Sequence, residues 1–280
     1  MSRFEEFRAL HRPGRPLVLP NAWDHASAAA LVTAGFAAVG TTSLGVAGAA
    51  GLPDAAGAAR EETLRLAGSL ARLPVPVTVD IENGFGTDPQ DVAALAARLE
   101  RAGIAGVNIE DGRPDGTLTD VSHQCAVLQA VLRSAPSLFV NARTDTYWLP
   151  GHEGETEARL RAYQEAGAHG LFVPGLRGER AVRSVTGTCA APLNLLFTPG
   201  GPSVSELAAW GVARVSTGSL LFRAAVHQAV EVARGVLDDD ATRAADLGGV
   251  PSYGQAQAWS EPFTGTRAGA RPKDGSPPGR

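Results

Sequence analysis

Short apolar segments alternate with amphipathic segments along most of the chain, and a glycine marks the junction between the two. An amphipathic run precedes this glycine and an apolar run follows it at Gly35, Gly103, Gly167 and Gly211. A glycine just past a helix can adopt the left-handed conformation that ends the helix. The recurring order of helix, glycine and apolar segment predicts alternating β and α units that build a parallel sheet.

Eight apolar segments have the length of strands that are covered on both faces. Among the helices between them, the best defined is predicted to be capped by Asp88, to have Pro89 in its first turn and to end at Gly103. Eight βα units in 280 residues favour an α/β fold of the (β/α)8 TIM-barrel class over an open sheet. The predicted strands are residues 16–21, 37–43, 75–82, 106–111, 138–145, 170–175, 192–197 and 213–218.

The end of the chain departs from this pattern. We predict a single barrel domain over residues 1–263, with extra C-terminal helices from about residue 219. Within that part, residues 237–240 are typical of a loop and 241–247 of a short helix. Residues 264–280 are rich in Gly, Pro, Arg and Ser, which predicts a disordered tail.

Composition narrows the functional classes. Hydrophobic residues make up 44% of the chain, which is enough for one large core. The net charge is −4 and no basic block occurs, which argues against a nucleic-acid partner. An anionic substrate would therefore be held by a few placed cations.

The cysteines and the apolar runs of the sequence predict the cellular compartment of the protein. Cys125 and Cys189 form no CxxC pair, which suits a reducing environment. The first residues include acids where a signal peptide needs an apolar run. No stretch reaches the roughly 18 apolar residues of a membrane span. We expect a cytoplasmic protein that does not contact a membrane.

Charged residues gather at the predicted carboxyl ends of three consecutive strands, where (β/α)8 barrels have their active sites. They are Asp80 and Glu82, then Glu110, then Arg143. Residues two apart on a strand point to the same face, so Asp80 and Glu82 are expected to face the same way. Clustered carboxylates raise each other's pKa unless a counter-charge is present. A Mg²⁺ ion, which prefers oxygen ligands, would supply that charge.

Five sequence motifs lie at predicted strand ends and loops, in a fixed order. Residues 80–86 read D-I-E-N-G-F-G, residues 109–111 read I-E-D, and residues 141–145 read N-A-R-T-D. Residues 51–54 read G-L-P-D and residues 19–24 read L-P-N-A-W-D. Together they resemble the isocitrate lyase and phosphoenolpyruvate mutase superfamily, whose signature is D-x-D-x-G-[YF]-G. The similarity extends from about residue 4 to about residue 235.

The resemblance implies a Mg²⁺-dependent barrel enzyme that acts on a small 2-oxo-acid, its enolate or a phosphonate. Asp80 would bind the ion directly, and Glu82 and Glu110 would hold waters bound to it. Arg143 would grip the substrate carboxylate or phosphonate with its planar guanidinium. The ion would stabilise the negative charge that bond cleavage leaves on an enolate oxygen.

The resemblance also implies roles for residues on other strands. Thr41, Thr42 and Ser43 lie where the superfamily supplies N–H and hydroxyl groups to the substrate carboxylate. Asp54 would orient metal-bound water or assist proton transfer. Asn194 matches an asparagine of the seventh strand and is expected to bind substrate.

The chain departs from the superfamily in three places. Glu82 is longer than the aspartate of the signature. Residues 112–120 read G-R-P-D-G-T-L-T-D, where isocitrate and methylisocitrate lyases have K-[KR]-C-G-H, and they lack the lysine and asparagine of the phosphonomutases. Leu196 replaces an acid. Because the lyase cysteine is missing and the pocket is less polar, we expect a short 2-oxo-acid substrate such as oxaloacetate.

Two other interpretations stay open. Residues 216–219 combine glycine and hydroxyl groups before a helix, which is typical of phosphate-binding TIM-barrel isomerases and synthases. The barrel could also be a non-catalytic protein that kept the metal site. Superfamily members commonly form oligomers, so the resemblance implies a homo-oligomer, either a dimer or a tetramer.

Overall fold

A closed ring of parallel strands forms the centre of the molecule, and the computed structural model describes residues 1–240, 249–261 and 263. The strands are β1 (Leu17–Leu19), β2 (Asn21–Ala22), β3 (Val39–Thr41), β4 (Val77–Asp80), β5 (Gly106–Glu110), β6 (Phe139–Arg143), β7 (Gly170–Phe172), β8 (Leu193–Leu196) and β9 (Arg214–Ser216). Their order is β1-β9-β8-β7-β6-β5-β4-β3-β2. The predicted (β/α)8 TIM barrel is confirmed.

The predicted first strand is divided at Pro20. β1 pairs with β9 and β2 pairs with β3, so the two short pieces together fill one position of the barrel. Proline has no N–H to donate to a strand ladder, which explains the break at this residue.

Helices lie before, between and after the strands along the chain. They are α1 (Arg3–Leu10), α2 (His25–Thr33), α3 (Ser43–Ala49), α4 (Arg60–Leu70), α5 (Pro89–Arg101), α6 (Val121–Ser134), α7 (Thr156–Glu165), α8 (Glu179–Thr188), α9 (Val204–Ala209), α10 (Leu220–Leu237) and α11 (Tyr253–Ala258). Within the described ranges, none of them combines the length and the apolar character that a membrane crossing requires.

Helix boundaries test the sequence-based predictions directly. The Asp88 carboxylate accepts the Gln90 N–H at 2.8 Å and Pro89 opens α5, as predicted. The loop predicted to begin at residue 237 begins one residue later, because the Asp238 N–H still donates to the Arg234 carbonyl at 2.9 Å. The helix predicted over 241–247 and the tail predicted over 264–280 lie outside the described residues.

The regular strand ends earlier than predicted at the carboxyl end of β4. The strand ends at Asp80, and Glu82 and Phe85 have φ angles of 51° and 57°. The Ile81 N–H and the Glu82 carbonyl still bond to β5, but the left-handed conformation at Glu82 ends the alternation of side chains that an extended strand would give. The expectation that Asp80 and Glu82 share one strand face is therefore wrong.

Helix α1 closes the amino-terminal end of the barrel. The buried Phe7 ring lies 5.3 Å from the Phe139 ring, centroid to centroid, at an angle of 81°. His11 stacks on Phe139 at 4.5 Å. Arg3 donates to the Pro74 carbonyl, just before β4, at 2.8 Å. These contacts fix α1 across the end that is opposite the carboxyl ends of the strands.

His11 is expected to make folding stability depend on pH. Burial lowers the pKa of His11 from 6.5 to about 3, and the nearby Arg214 acts in the same direction. The unfolded chain therefore takes up a proton below about pH 6.5 that the folded chain does not. Stability should fall as the pH drops from about 6.5 towards 3, by up to about 1.4 kcal/mol per pH unit.

Urea unfolding of the His11→Phe variant at several pH values tests this. The variant should show a flatter pH dependence than the unchanged protein. A matched change at the exposed His227 of α10, His227→Gln, should leave the dependence as it was. Equal slopes in the unchanged protein and the His11 variant would contradict the prediction.

Candidate active site

A cavity of about 390 Å³ lies at the carboxyl ends of the barrel strands. This volume suits a small-molecule ligand. The polar and charged residues that line it include Asn21, Thr42, Ser43, Asp54, Asp80, Asn108, Glu110, Arg113, Arg143, Asp145, Ser216 and Ser219. Its larger apolar lining residues are Leu44, Trp148, Leu149, Phe172 and Leu196.

Arg143 is held between two carboxylates. It ends β6 beside Glu110, which ends β5, because the two strands pair in register at this position. Arg143 Nη1 lies 2.6 Å from Glu110 Oε2, while Nε and Nη2 donate to the Asp145 carboxylate at 2.6 and 3.1 Å. Burial lowers the pKa of Arg143, but Glu110, Asp145 and Asp80 outweigh this and raise it above its ordinary value. The guanidinium is a fixed cation in the cavity wall.

Asp80 is positioned by its neighbours in the β3–β4 region. Its N–H donates to Thr41 Oγ1 at 2.9 Å, and its Oδ1 accepts the Glu82 N–H at 3.2 Å. The Ser43 N–H also bonds its carboxylate. Burial raises the pKa of Asp80, although Arg143 opposes that effect. The side chain is thus held rigidly at the cavity while its charged form is disfavoured.

Two further carboxyl groups also have raised pKa values. Burial raises the pKa of Glu110 to about 8, against the attraction of Arg143. Burial likewise raises the pKa of Glu82 to about 7, with smaller contributions from Asp54 and Asp80. Arg143 and the buried Arg214, whose charge interacts with that of Asp80, do not balance this group of acids, so an additional cation at the site would be stabilising.

The structure brings most of the predicted site residues together. Thr42, Ser43, Asp54, Asp80, Glu110 and Arg143 all line the cavity. Three predicted residues lie outside the lining. Thr41 supports Asp80 through the bond given above, Glu82 Oε2 accepts the Gly57 N–H at 3.0 Å, and Asn194 is buried in β8. On β8, Leu196 contributes to the lining where Asn194 does not.

The donor set of the cavity fits Mg²⁺. Within the described residues, no three His, Cys, Asp or Glu side chains converge closely enough to hold an ion by themselves. Mg²⁺ commonly takes only one or two carboxylates and completes its coordination with water. Asp80 supplies a carboxylate at the cavity, and Glu82 Oε1 is buried without a hydrogen-bond partner in the described part of the chain. These hard oxygen groups suit an ion with few direct protein ligands.

Sequence reasoning missed four polar lining residues: Asn21, Asn108, Arg113 and Asp145. Asn108 and Asp145 lie two positions from Glu110 and Arg143, so strand alternation could have identified them. Arg113 lies in the loop that departs from the superfamily pattern, where no motif marks it. Asn21 lies next to the break in the first strand.

Asp111 organises the region behind the cavity. Its buried carboxylate accepts hydrogen bonds from Thr144 Oγ1 at 2.8 Å, Tyr163 OH at 2.6 Å and Arg159 Nη1 at 3.3 Å. It also accepts the Asp145 N–H at 2.8 Å. Because Asp145 in turn holds Arg143, Asp111 fixes the guanidinium from the second layer of residues.

The residues considered for phosphate binding are engaged otherwise. The N–H groups of Thr217 and Gly218 both donate to Asn21 Oδ1 at 3.0 Å. Asn21 therefore satisfies two of the backbone donors that a phosphate would need at this helix start.

The family model described as phosphoenolpyruvate phosphomutase matches residues 7–237. The chain belongs to this family. An uncharacterized protein of Mycobacterium tuberculosis is 42% identical over 84% of this chain and 90% of that protein. A 2-methylisocitrate lyase of Halalkalibacterium halodurans is 33% identical over 68% of this chain and 65% of that enzyme. An oxaloacetate decarboxylase of Pseudomonas aeruginosa is 31% identical over 72% of this chain and 74% of that enzyme.

Solved structures agree with membership of the phosphoenolpyruvate phosphomutase family. A Burkholderia cenocepacia protein described as a phosphonomutase superposes with a TM-score of 0.79 and 37% identity, over 83% of this chain and 97% of that chain. A 2,3-dimethylmalate lyase of the PEP mutase/isocitrate lyase superfamily superposes with a TM-score of 0.77 and 27% identity, over 90% of this chain and 92% of that chain. The predicted superfamily and the predicted enzyme class, carbon–carbon lyase or phosphonomutase, are confirmed.

Proposed function

We propose that this family member is a Mg²⁺-dependent enzyme that cleaves or forms a C–C or P–C bond next to the oxo group of a small 2-oxo-acid. The observation that carries the proposal is the meeting of Asp80, Glu110 and Arg143 at one cavity, with more negative charge than Arg143 balances. The relatives named as methylisocitrate lyase and oxaloacetate decarboxylase support the same reaction class.

Arg143 would bind the substrate carboxylate. A guanidinium has five N–H donors, and three of those of Arg143 are given to Glu110 and Asp145. The donors that remain suit one carboxylate or phosphonate oxygen pair. Thr42 and Ser43, which line the cavity, would add hydroxyl and N–H donors to the same group.

Asp80 would hold the ion directly, with Glu82 and Glu110 in contact with its waters. When bound, Mg²⁺ supplies a Lewis acid that stabilises an enolate oxygen. Asp54 lines the cavity and would orient a water molecule or move a proton. Thr41 holds Asp80 in place through its hydroxyl group. Asn194, which is buried in β8 and does not line the cavity, would support the part of β8 that faces the substrate.

A short substrate fits the apolar part of the wall. Leu44, Phe172 and Leu196 line the cavity and cannot solvate several carboxylates. Oxaloacetate or a close relative is therefore favoured over a tricarboxylate. The phosphate-binding alternative is less well supported, because Asn21 takes two of the required N–H donors.

A substrate panel tests the proposal. The purified protein is assayed with oxaloacetate, methylisocitrate, phosphonopyruvate, phosphoenolpyruvate and carboxyphosphonoenolpyruvate, with Mg²⁺ and with a chelator. We expect Mg²⁺-dependent turnover of oxaloacetate or another short 2-oxo-acid. Absence of turnover on the whole panel would favour the non-catalytic barrel, and rapid cleavage of methylisocitrate would overturn the short-substrate proposal.

The Asp111→Asn variant is expected to lower kcat/KM about 10–100-fold on the best panel substrate. The amide keeps the size of the side chain but loses the charge that holds Asp145 and Arg159. The control Tyr163→Phe removes one donor to Asp111 and leaves the Asp145 N–H in place, so its loss should be smaller. Steady-state kinetics on both variants, with thermal melts, measure the difference. Equal losses would contradict the positioning role.

The proposal includes a single domain over residues 1–263, a cytoplasmic location and a homo-oligomer.

The oligomer is supported by exposed apolar side chains on α10. Val226 and Val230 are 49% and 45% exposed, and Val236 and Leu237 are 74% and 82% exposed. We expect light scattering to give the mass of a dimer or tetramer. Val226→Glu combined with Val230→Glu should shift that mass downwards. A monomeric unchanged protein would refute this part.

A further inference from the structure

Two guanidinium groups line the cavity, and only one of them is committed to the protein's own carboxylates. Arg143 is paired with Glu110 and Asp145. Arg113, by contrast, forms no ion pair within 4.0 Å in the described ranges of the chain, and its charge acts only weakly on Asp115, whose carboxylate is hydrogen-bonded to Thr117. An exposed cation at a cavity wall, with its donors unused, is available to an anionic ligand.

Arg113 is presented by a short, well-bonded hairpin. Gly112 and Leu118 form an antiparallel bridge, and the Arg113 N–H donates to the Thr117 carbonyl at 2.9 Å. The Arg113 carbonyl accepts the Gly116 N–H at 3.0 Å. The nearby Asp115 carboxylate accepts a hydrogen bond from the Thr117 hydroxyl at 2.6 Å. The backbone that carries Arg113 is therefore fixed by several hydrogen bonds.

The base of this hairpin is tied to the network around Asp111. The Thr119 N–H donates to the Asp111 carbonyl at 2.8 Å, and the Thr119 carbonyl accepts from Arg159 Nη1 at 2.8 Å. Gly112 leaves no room for a side chain, since a Cβ there would meet the Asp145 carboxylate. The same groups that hold Arg143 thus also hold the loop that carries Arg113.

We infer that Arg113 receives a second carboxylate of the substrate, so that the ligand class of this site is the 2-oxo-dicarboxylates. The inference rests on the proposed function, in which Arg143 and the ion hold the 2-oxo-acid end. Apart from Arg143, Arg113 is the one cationic side chain that the described cavity lining offers to the far end of a short substrate. A methyl end would leave the Arg113 donors unused, whereas a carboxylate end would pair with them.

Matched ligand pairs test the inference. Calorimetry in Mg²⁺ buffer compares 2-oxobutanoate with oxaloacetate, and 2-oxopentanoate with 2-oxoglutarate. Each pair differs at the far end, a methyl against a carboxylate. Oxalate has only the two carbon atoms that correspond to the 2-oxo-acid end of these ligands. Its affinity therefore reports on the part of the site around Arg143 alone. We expect the unchanged protein to bind at least one diacid at least about tenfold more tightly than its partner.

The Arg113→Gln variant should lose that preference, by about tenfold on the diacid, and should bind oxalate and the monoacids as before. Arg113→Lys should retain part of it. The control Arg133→Gln removes the same charge in the last turn of α6, outside the cavity lining, and should change no affinity.

The outcomes separate this inference from the function it rests on. If oxalate binds and the panel is turned over, but the diacid preference is missing or survives in Arg113→Gln, the inference alone is overturned. If oxalate does not bind the unchanged protein with Mg²⁺ and no panel substrate reacts, the proposed function is overturned and the inference with it.

Discussion

Asp80→Ala is expected to lower kcat on the best 2-oxo-acid by at least about a thousandfold, while the fold persists. The carboxylate is the proposed direct ligand of the ion, and a bound ion supplies several kcal/mol of charge stabilisation. Removing Asp80 also removes a buried charge that burial disfavours, as its raised pKa shows. Asp80 is also the carboxylate whose charge acts on the buried Arg214, which opposes this gain, so the melting temperature without Mg²⁺ should change by only a few degrees.

Kinetics and thermal melts, each with and without Mg²⁺, measure these two effects of Asp80→Ala. A matched control is Asp91→Ala, which removes an exposed acid from the first turn of α5. The control should keep its activity and any increase in melting temperature that Mg²⁺ produces. Turnover by Asp80→Ala at the level of this control would exclude Asp80 as the metal ligand.

Arg143→Met is expected to destabilise the folded protein by about 3–5 kcal/mol, because it leaves Glu110 and Asp145 buried without their partner. Activity should be lost as well, since the proposed substrate carboxylate loses its donor. Urea unfolding gives the free energy of unfolding. The loss should shrink at lower pH, where a proton neutralises Glu110, whose pKa is already raised to about 8.

A double variant separates charge from packing at Arg143. Arg143→Met with Glu110→Gln should recover part of the lost stability, because one unpaired carboxylate is removed. The surface pair offers the control: Arg183→Met loses an ion pair to Glu179 at 2.7 Å with both side chains half exposed, and should cost no more than about 1 kcal/mol. Similar losses of unfolding free energy for Arg143→Met and Arg183→Met would argue against a stabilising role for the buried ion pairs of Arg143.

The repeating pattern of helix, glycine and apolar segment was sufficient to predict the barrel. It works because parallel strands buried on both faces are apolar throughout, and because chain reversals after helices need residues such as Gly103, with a φ of 95°. The same reasoning placed Asp80, Glu110 and Arg143 at one end of the sheet. Strand ends meet there whatever the details of the loops.

Features that depend on loop conformation were beyond the sequence. Glu82 follows Asp80 by two residues, yet a left-handed backbone carries its carboxylate to the Gly57 N–H. Strand alternation places Asp145 on the same side as Arg143, but the hydrogen bond of 2.6 Å between them follows only from the structure. Arg113 reaches the cavity from a loop, and no periodicity determines where a loop folds back. Asp54 also lies in a loop, and the G-L-P-D motif, not periodicity, indicated it.

The helix across the amino-terminal end of the barrel offers a handle for experiments. The contacts of α1 with Phe139 and Pro74 hold it on the side that faces away from the cavity. Coupling chemistry directed to exposed positions of α1, such as Glu5, would orient immobilised molecules with the cavity towards the solution. A biosensor or flow reactor prepared in this way would keep substrate entry unobstructed.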